Sequence, residues 1–82
     1  MNELKAPYEA MGCRLRNMRL AVKKTERDVS EGTGIAVSII KKVEEGNRDL
    51  SIEELLLLSS FYGTTVNYIV MGFDDSIKDK KS

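Results

Sequence analysis

The sequence predicts an all-α domain of five short helices, and three observations lead to this fold class. No stretch of the 82 residues shows the sustained two-residue alternation of a β-strand. Apolar residues instead recur every three or four positions, which is the spacing of one helix face. Side chains that cap helix N-termini and glycines that end helices divide this pattern into segments. The capping candidates are Thr25, Ser51 and Thr64 or Thr65, and the closing glycines are Gly34, Gly46, Gly63 and Gly72.

The first helix is predicted over Tyr8–Lys23, after a flexible N-terminus of residues 1–7. Pro7 suits the first turn of a helix, where its missing N–H has no helical partner to lose. Gly12 is a mild weakness inside this helix. One apolar stripe is expected to face the core, and it consists of Met11, Leu15, Met18 and Val22.

The second helix begins at Thr25, which is a good N-cap, and Asp28 stands where the acidic member of a capping box belongs. The sequence Gly32-Thr33-Gly34 breaks this helix, because glycine takes the left-handed backbone of a sharp turn. Ile35 follows as an apolar plug. A third helix is predicted from about Ala36 to Glu45, where Gly46 ends it.

The third helix has two different sides. Ile39, Ile40 and Val43 give it one apolar side at helical spacing. The residues that lie largely off that side are Val37, Ser38, Lys41 and Lys42. Two short helices around a glycine turn, the second with an outward face, predict a helix-turn-helix.

The fourth and fifth helices complete the domain. Residues 47–50 are predicted as a loop, after which Ser51 and Glu54 form a capping box and helix 4 runs to about Tyr62. Helix 5 is predicted over Val66–Met71. The sequence thus predicts one domain over residues 8–72, followed by a charged, flexible tail over residues 73–82.

Composition narrows the function classes. The formal net charge is zero, although residues 1–24 hold six cations and two carboxylates. The chain has no histidine and a single cysteine, Cys13, so we expect no metal site, no cofactor and no enzymatic activity. No apolar run approaches the about 20 residues of a membrane span, and no signal-peptide core is visible. The expected location is the cytoplasm.

From about Leu15 to Gly72 the chain resembles the phage repressor and Cro-type helix-turn-helix family. The segments that carry the resemblance are LRNMRL, GTGIAVS, IIKKVEEG, SIEELLLLSSFYGTT and VNYIVMG. The resemblance implies a five-helix, lambda-repressor-like domain that binds operator DNA, commonly as a two-fold dimer. It also implies that the second helix of the motif enters the major groove.

The resemblance assigns residues to the DNA interface. Val37, Ser38 and Lys42 stand where such helices reach base edges, and Lys41 is a phosphate neighbour. Lys42 is expected to reach a base or a phosphate. The alternative for Val37, Ser38 and both lysines is an ordinary solvated surface, and for Arg48 it is a plain loop charge. Ala36 occupies a position where serine or threonine usually caps the helix. The whole expected DNA-binding set is Glu26, Arg27, Ala36, Val37, Ser38, Lys41, Lys42, Asn47 and Arg48.

The resemblance also implies roles for an acidic residue in helix 2, for the loop after helix 3 and for an ion pair between helices. Glu26 stands where relatives often carry glutamine, and its carboxylate repels phosphates unless Arg27 or Lys42 neutralises it or unless it accepts from cytosine N4. Asn47 and Arg48 lie in the loop that typically touches phosphate. By the same resemblance, an ion pair is expected between Arg19 of helix 1 and Glu44 of helix 3.

Helix 4 contains more leucine than one buried side needs. Leu55, Leu58 and Tyr62 form the expected core stripe, with Leu56 flanking it. An exposed apolar patch for a dimer mate or partner is predicted from Leu57, Phe61, Tyr68 and Phe73. A fully buried helix 4 is the alternative.

The leading hypothesis is a sequence-specific DNA-binding transcriptional regulator, a repressor that binds a palindromic operator as a homodimer. The alternative is a protein-interaction module on the same fold, such as an antitoxin or antirepressor component, whose DNA binding is weak or depends on a partner protein. The neutral charge and the apolar patch favour this alternative.

Overall fold

Five α-helices make up the part of the chain that the computed structural model describes, residues 5–73. They are α1 (Lys5–Ala21), α2 (Glu26–Thr33), α3 (Val37–Glu44), α4 (Ile52–Tyr62) and α5 (Val66–Met71). Over these residues there is no β-strand, and the predicted all-α fold class is confirmed. Most of the N-terminal stretch and of the tail that were predicted to be flexible lies outside the described residues.

The first helix is shifted from its predicted bounds. It begins at Lys5 rather than Tyr8, so Pro7 still lies in the first turn, where a backbone N–H has no helical acceptor. It ends at Ala21, and Lys23 then adopts a left-handed backbone with φ of 60°. Val22 follows the end of the helix and is exposed, so its predicted place in the core stripe is wrong.

The predicted capping devices are present. Thr25 and Asp28 form a reciprocal capping box at the start of α2, and Ser51 and Glu54 form another at the start of α4. Thr65, rather than Thr64, caps α5 by accepting a hydrogen bond from the Tyr68 N–H. Each box satisfies backbone N–H groups that the helix itself leaves without acceptors.

The turn between α2 and α3 differs in one detail from the prediction. Gly34 alone takes the left-handed backbone, with φ of 83°, whereas Gly32 continues α2 in helical conformation. The ring of Phe61 lies where a side chain on residue 32 would begin. Gly32 therefore provides room for packing against α4, and Gly34 provides the turn.

The helices enclose one core. α1 packs against α3 and α5, α2 packs against α3 and α4, and α4 packs against α5, so the contacts close a ring. The completely buried side chains at its centre come from three helices: Val29, Val43 and Ile69. Around them lie Met11, Leu15, Ile35, Ile40, Leu50, Leu55 and Leu58.

At Gly12, α1 lies close against the backbone at the end of α3. A Cβ atom at this position would lie 2.9 Å from the carbonyl oxygen of Glu44 and would also collide with the carbonyl oxygen of Val43. These carbonyl oxygens belong to the backbone, so they cannot avoid the Cβ atom by a change of side-chain conformation. Gly12 is therefore a requirement of the packing between α1 and α3, in spite of its low helix propensity.

Arg14 connects the first helix to the last. Its Nε donates to the carbonyl oxygen of Ile69 at 2.9 Å, and its Nη2 donates to that of Val70 at 3.0 Å. These carbonyls belong to the last turn of α5, where no further helical N–H is available. Arg14 thereby closes the C-terminal end of α5 and holds that end against α1.

Candidate nucleic-acid interface

The angle between α2 and α3 is held by Thr33. Its hydroxyl donates to the carbonyl oxygen of Val29 at 2.7 Å and accepts from the N–H of Ile35 at 3.1 Å. Ile35 itself is buried, which agrees with the prediction that it is an apolar plug. One side chain thus ties the end of α2 to the residues that lead into α3.

α3 presents one side to the core and the other to solvent. Ile40 and Val43 are buried and Ile39 is half-buried. Ser38, Lys41 and Lys42 are exposed, as predicted from the helical spacing. Val37 is half-buried at the edge of this outward face. α3 is eight residues long, and its outward face is polar except for Val37.

The first turn of α3 has no side-chain cap. Ala36 is the N-cap residue, and its carbonyl oxygen accepts from the N–H groups of Ile39 and Ile40 at 3.0 and 3.1 Å. Among residues 5–73, no side-chain cap hydrogen bond is formed at this helix start. Unpaired N–H groups at a helix start carry partial positive charge and suit an anion.

An ion pair sets the position of the other end of α3. Arg19 donates through Nε and Nη2 to the two carboxylate oxygens of Glu44, at 2.9 and 3.0 Å. The side chains are only 11% and 6% exposed. Arg19 also donates to the carbonyl oxygen of Lys24 at 3.0 Å. The hydrogen bonds to Glu44 raise the pKa of the arginine. The expected Arg19–Glu44 pair is present.

Tyr62 lies near this pair, on α4. Burial raises the pKa of its hydroxyl to about 12, and the negative charge of Glu44 acts in the same direction. The ring stands edge-on to Phe61, with 5.0 Å between the ring centroids. The surroundings of Arg19 and Glu44 are thus partly enclosed on the α4 side.

The partners of Glu26 differ from those expected. Its Oε1 lies 3.4 Å from Lys41 Nζ, and its Oε2 lies 3.9 Å from Arg19 Nη2. Arg27 and Lys42, the neutralising cations expected from sequence, form no ion pair with it. Arg27 follows Glu26 in the chain, and Lys42 follows Lys41. Because successive helical residues point about 100° apart, the side chains of Arg27 and Lys42 point away from the contact between α2 and α3.

Arg48 is engaged within the protein. Its Nη1 and Nη2 donate to the two carboxylate oxygens of Glu54, at 2.9 and 3.4 Å, and Nη1 also donates to the carbonyl oxygen of Asp49. The hydrogen bond from Arg48 lowers the pKa of Glu54. A phosphate contact by Arg48, as expected from sequence, has to compete with this pair. Asn47 is exposed and donates to Glu45 at 3.4 Å.

The cations of the expected DNA-binding set therefore fall into two groups. Lys41 and Arg48 are paired with carboxylates. Over the described residues, Arg27 and Lys42 are exposed and form no ion pair. The positive charge that this surface offers to an anion comes mainly from these two side chains.

The predicted apolar patch is divided by the structure. Leu57 and Phe73 are exposed, but Tyr68 is half-buried and Phe61 packs between Gly32 and Tyr62. The side chains that the prediction missed are Ile52 at 71% and Leu56 at 56% exposure, with Val70 and Met71 on α5. Ile52 and Leu56 are four residues apart on α4, and this spacing was the available signal that they share one side of the helix.

Over residues 5–73 no group of three or more His, Cys, Asp or Glu side chains is placed to hold a metal ion. Each helix in this range is too short or too polar to cross a bilayer.

Comparison with known proteins adds two matches. Residues 15–69 match the family model HTH_3, described as helix-turn-helix. Among solved structures, the clp gene regulator ClgR from Corynebacterium glutamicum superposes with a TM-score of 0.74 at 23% sequence identity. The alignment covers 92% of this chain and 80% of ClgR. This likeness concerns the fold. No curated protein matches the chain.

Proposed function

Because the chain belongs to the Cro/C1-type helix-turn-helix family, whose members are DNA-binding transcriptional regulators, we propose that it is a cytoplasmic repressor that binds a palindromic operator as a homodimer. The family indicates a regulator rather than an enzyme. A homodimer with two-fold symmetry addresses two half-sites about 34 Å apart, one turn of DNA. The solved structure of ClgR, a clp gene regulator, is consistent with this class of function.

The observation that carries the proposal is the outward face of α3. Ile40 and Val43 anchor the helix in the core, while Ser38 and Lys42 stay exposed on the opposite side. A major groove about 12 Å wide admits a helix presented in this way. Thr33 and the Arg19–Glu44 pair hold both ends of the helix, so the face is presented at a defined angle.

Within this proposal the side chains have different tasks. Lys42 has no ion-pair partner within residues 5–73 and is assigned to a base edge, where it donates to guanine O6 or N7. Ser38 and Val37 are assigned to neighbouring bases, Val37 through a thymine methyl group. Arg27 and the uncapped N–H groups of α3 are assigned to phosphates, which position the protein without reading sequence.

The test is selection of binding sites from a random DNA pool, followed by gel-shift titration of the enriched sequence. Lys42→Ala should weaken binding to that sequence by about tenfold or more and relax the choice of base at one position. Lys24→Ala, an exposed lysine outside α3, is the matched control and should keep the same preference. A pool without any enriched sequence at low salt would contradict the proposal.

The protein-interaction module is the second candidate, and one observation favours it. Ile52 and Leu56 on α4 and Met71 on α5 are exposed. Exposed apolar side chains of this size usually mark contact sites when they cluster. In this case DNA binding requires a regulatory protein partner. The same selection separates the candidates, because the module alone should enrich no sequence.

A further inference from the structure

A carboxylate at the first residue of α2 lies beside a lysine on the outward face of α3. Glu26 Oε1 and Lys41 Nζ are 3.4 Å apart, and the side chains are 26% and 57% exposed. The pair therefore sits at the protein surface rather than in the core. Lys41 shares the outward face with Ser38 and Lys42, which places the carboxylate at the border of the surface assigned to DNA.

Lys41 is the cation that Glu26 most affects. Arg19 also lies within 3.9 Å of Glu26, but two hydrogen bonds already bind Arg19 to Glu44 and both of those side chains are largely buried. Lys41 forms no other ion pair over the described residues.

Resting on the DNA-binding function above, we propose that Glu26 limits the sequence-independent part of the affinity for DNA. The carboxylate holds the ammonium group of Lys41 away from phosphates and adds a negative charge that repels them. Nonspecific binding is almost wholly electrostatic, so the loss of one lysine–phosphate contact lowers the nonspecific affinity measurably. Because phosphate contacts carry no sequence information, the effect is equal for operator and for unrelated DNA.

This assignment differs from a base contact by Glu26. A carboxylate that accepts from cytosine N4 strengthens binding to one sequence only. The pairing with Lys41 instead predicts the same change on every duplex. The two roles therefore give opposite results when the charge of Glu26 is removed.

The experiment measures the affinity of wild type and Glu26→Gln for the selected operator and for a duplex of unrelated sequence over a series of salt concentrations. The variant is expected to bind both duplexes about tenfold more tightly at low salt. The slope of log affinity against log salt concentration should become steeper by about the amount that one additional phosphate contact contributes. Weaker binding to the operator alone would show a base contact and overturn the proposal.

A double variant tests whether Lys41 mediates the effect. In the Lys41→Ala background, Glu26→Gln is expected to gain much less affinity than it gains when Lys41 is present. An equal gain in both backgrounds overturns the role of the pair. Glu31→Gln removes the same charge from an exposed position of α2 and should change the affinity less than about twofold, because exposed distant charges are screened.

Circular dichroism of each variant establishes that it is folded. If wild type binds DNA and Glu26→Gln binds both duplexes with unchanged affinity and slope, the inference about Glu26 is wrong and the proposed function stands. If neither the wild type nor any folded variant binds DNA at low salt, the proposed function is wrong and the inference with it.

Discussion

Arg19 connects three segments of the chain through one guanidinium group. It pairs with Glu44 at the end of α3, lies near Glu26 at the start of α2 and donates to the backbone of Lys24 between α1 and α2. Its polar atoms have partners, in keeping with the absence of unpaired buried side-chain nitrogen or oxygen atoms among the described residues. The orientation of α3 thus depends on a buried charge pair as well as on apolar packing.

Arg19→Ala should reduce the free energy of unfolding by about 3 kcal/mol, because it leaves the Glu44 carboxylate buried without its cation. Urea unfolding followed by circular dichroism measures this change. Arg16→Ala, which removes an exposed arginine from the same helix, should stay within about 0.5 kcal/mol of wild type. Equal losses in the two variants would show that the pair contributes nothing beyond an ordinary surface charge.

Gly12→Ala should be destabilising despite the higher helix propensity of alanine. The propensity gain is about 1 kcal/mol, whereas the methyl group collides with the backbone of α3 and forces α1 and α3 apart, at an overall cost of about 2 kcal/mol. Thermal unfolding measures the difference. Asn17→Ala, on the exposed side of α1, is the control and should leave stability nearly unchanged. A Gly12→Ala protein that is as stable as wild type would contradict the close packing.

At the scale of the helix, the capping boxes couple stability to pH. Hydrogen bonds from Thr25 lower the pKa of Asp28 from its ordinary 3.8, and those from Arg48 and Ser51 lower the pKa of Glu54 from its ordinary 4.5. A lowered pKa in the folded state means that the ionised carboxylate stabilises the fold. This contribution is complete above the unfolded-state values and is lost as the pH falls through the lowered ones.

The urea midpoint should therefore be nearly constant from neutral pH to about pH 5 and fall below about pH 4. In an Asp28→Asn, Glu54→Gln double variant this acid-dependent fall should be smaller, because neither cap carries a titrating carboxylate. Glu53→Gln removes an exposed carboxylate from the first turn of α4 and should retain the wild-type profile. The expectation fails if all three proteins lose stability in parallel on acidification.

At the scale of the whole molecule, a small core is combined with several exposed apolar side chains. Ten apolar residues are buried, while eight large ones are exposed over the described residues. A chain of this size buries a smaller fraction of its surface than a larger domain and is only marginally stable alone. If the homodimer proposed above forms through α4 and α5, it buries part of this exposed apolar surface.

Leu57→Glu should raise the dimer dissociation constant by about tenfold or more, since it places a charge in the proposed apolar contact. Sedimentation equilibrium over a range of protein concentrations measures the change. Leu20→Glu makes the same substitution at an exposed apolar position of α1 and should leave the oligomer intact. Dissociation by Leu20→Glu alone would place the interface on α1 instead.

Much of the architecture was predictable because it depends on local interactions. The caps at Thr25 and Ser51 and the turn at Gly34 each involve residues within a few positions of one another, so the sequence itself displays them. The outward position of Ser38 and Lys42 follows from helical spacing in the same way. These features sufficed to identify the helix-turn-helix and its exposed face.

The tertiary structure decided which distant residues meet. It placed Lys41 rather than Arg27 or Lys42 beside Glu26, and it brought the backbone of α3 against Gly12. It also turned Phe61 onto Gly32 and left Ile52 in solvent. Such contacts depend on the distance and angle at which helices cross, which the sum of many side-chain packings determines and no short sequence pattern records.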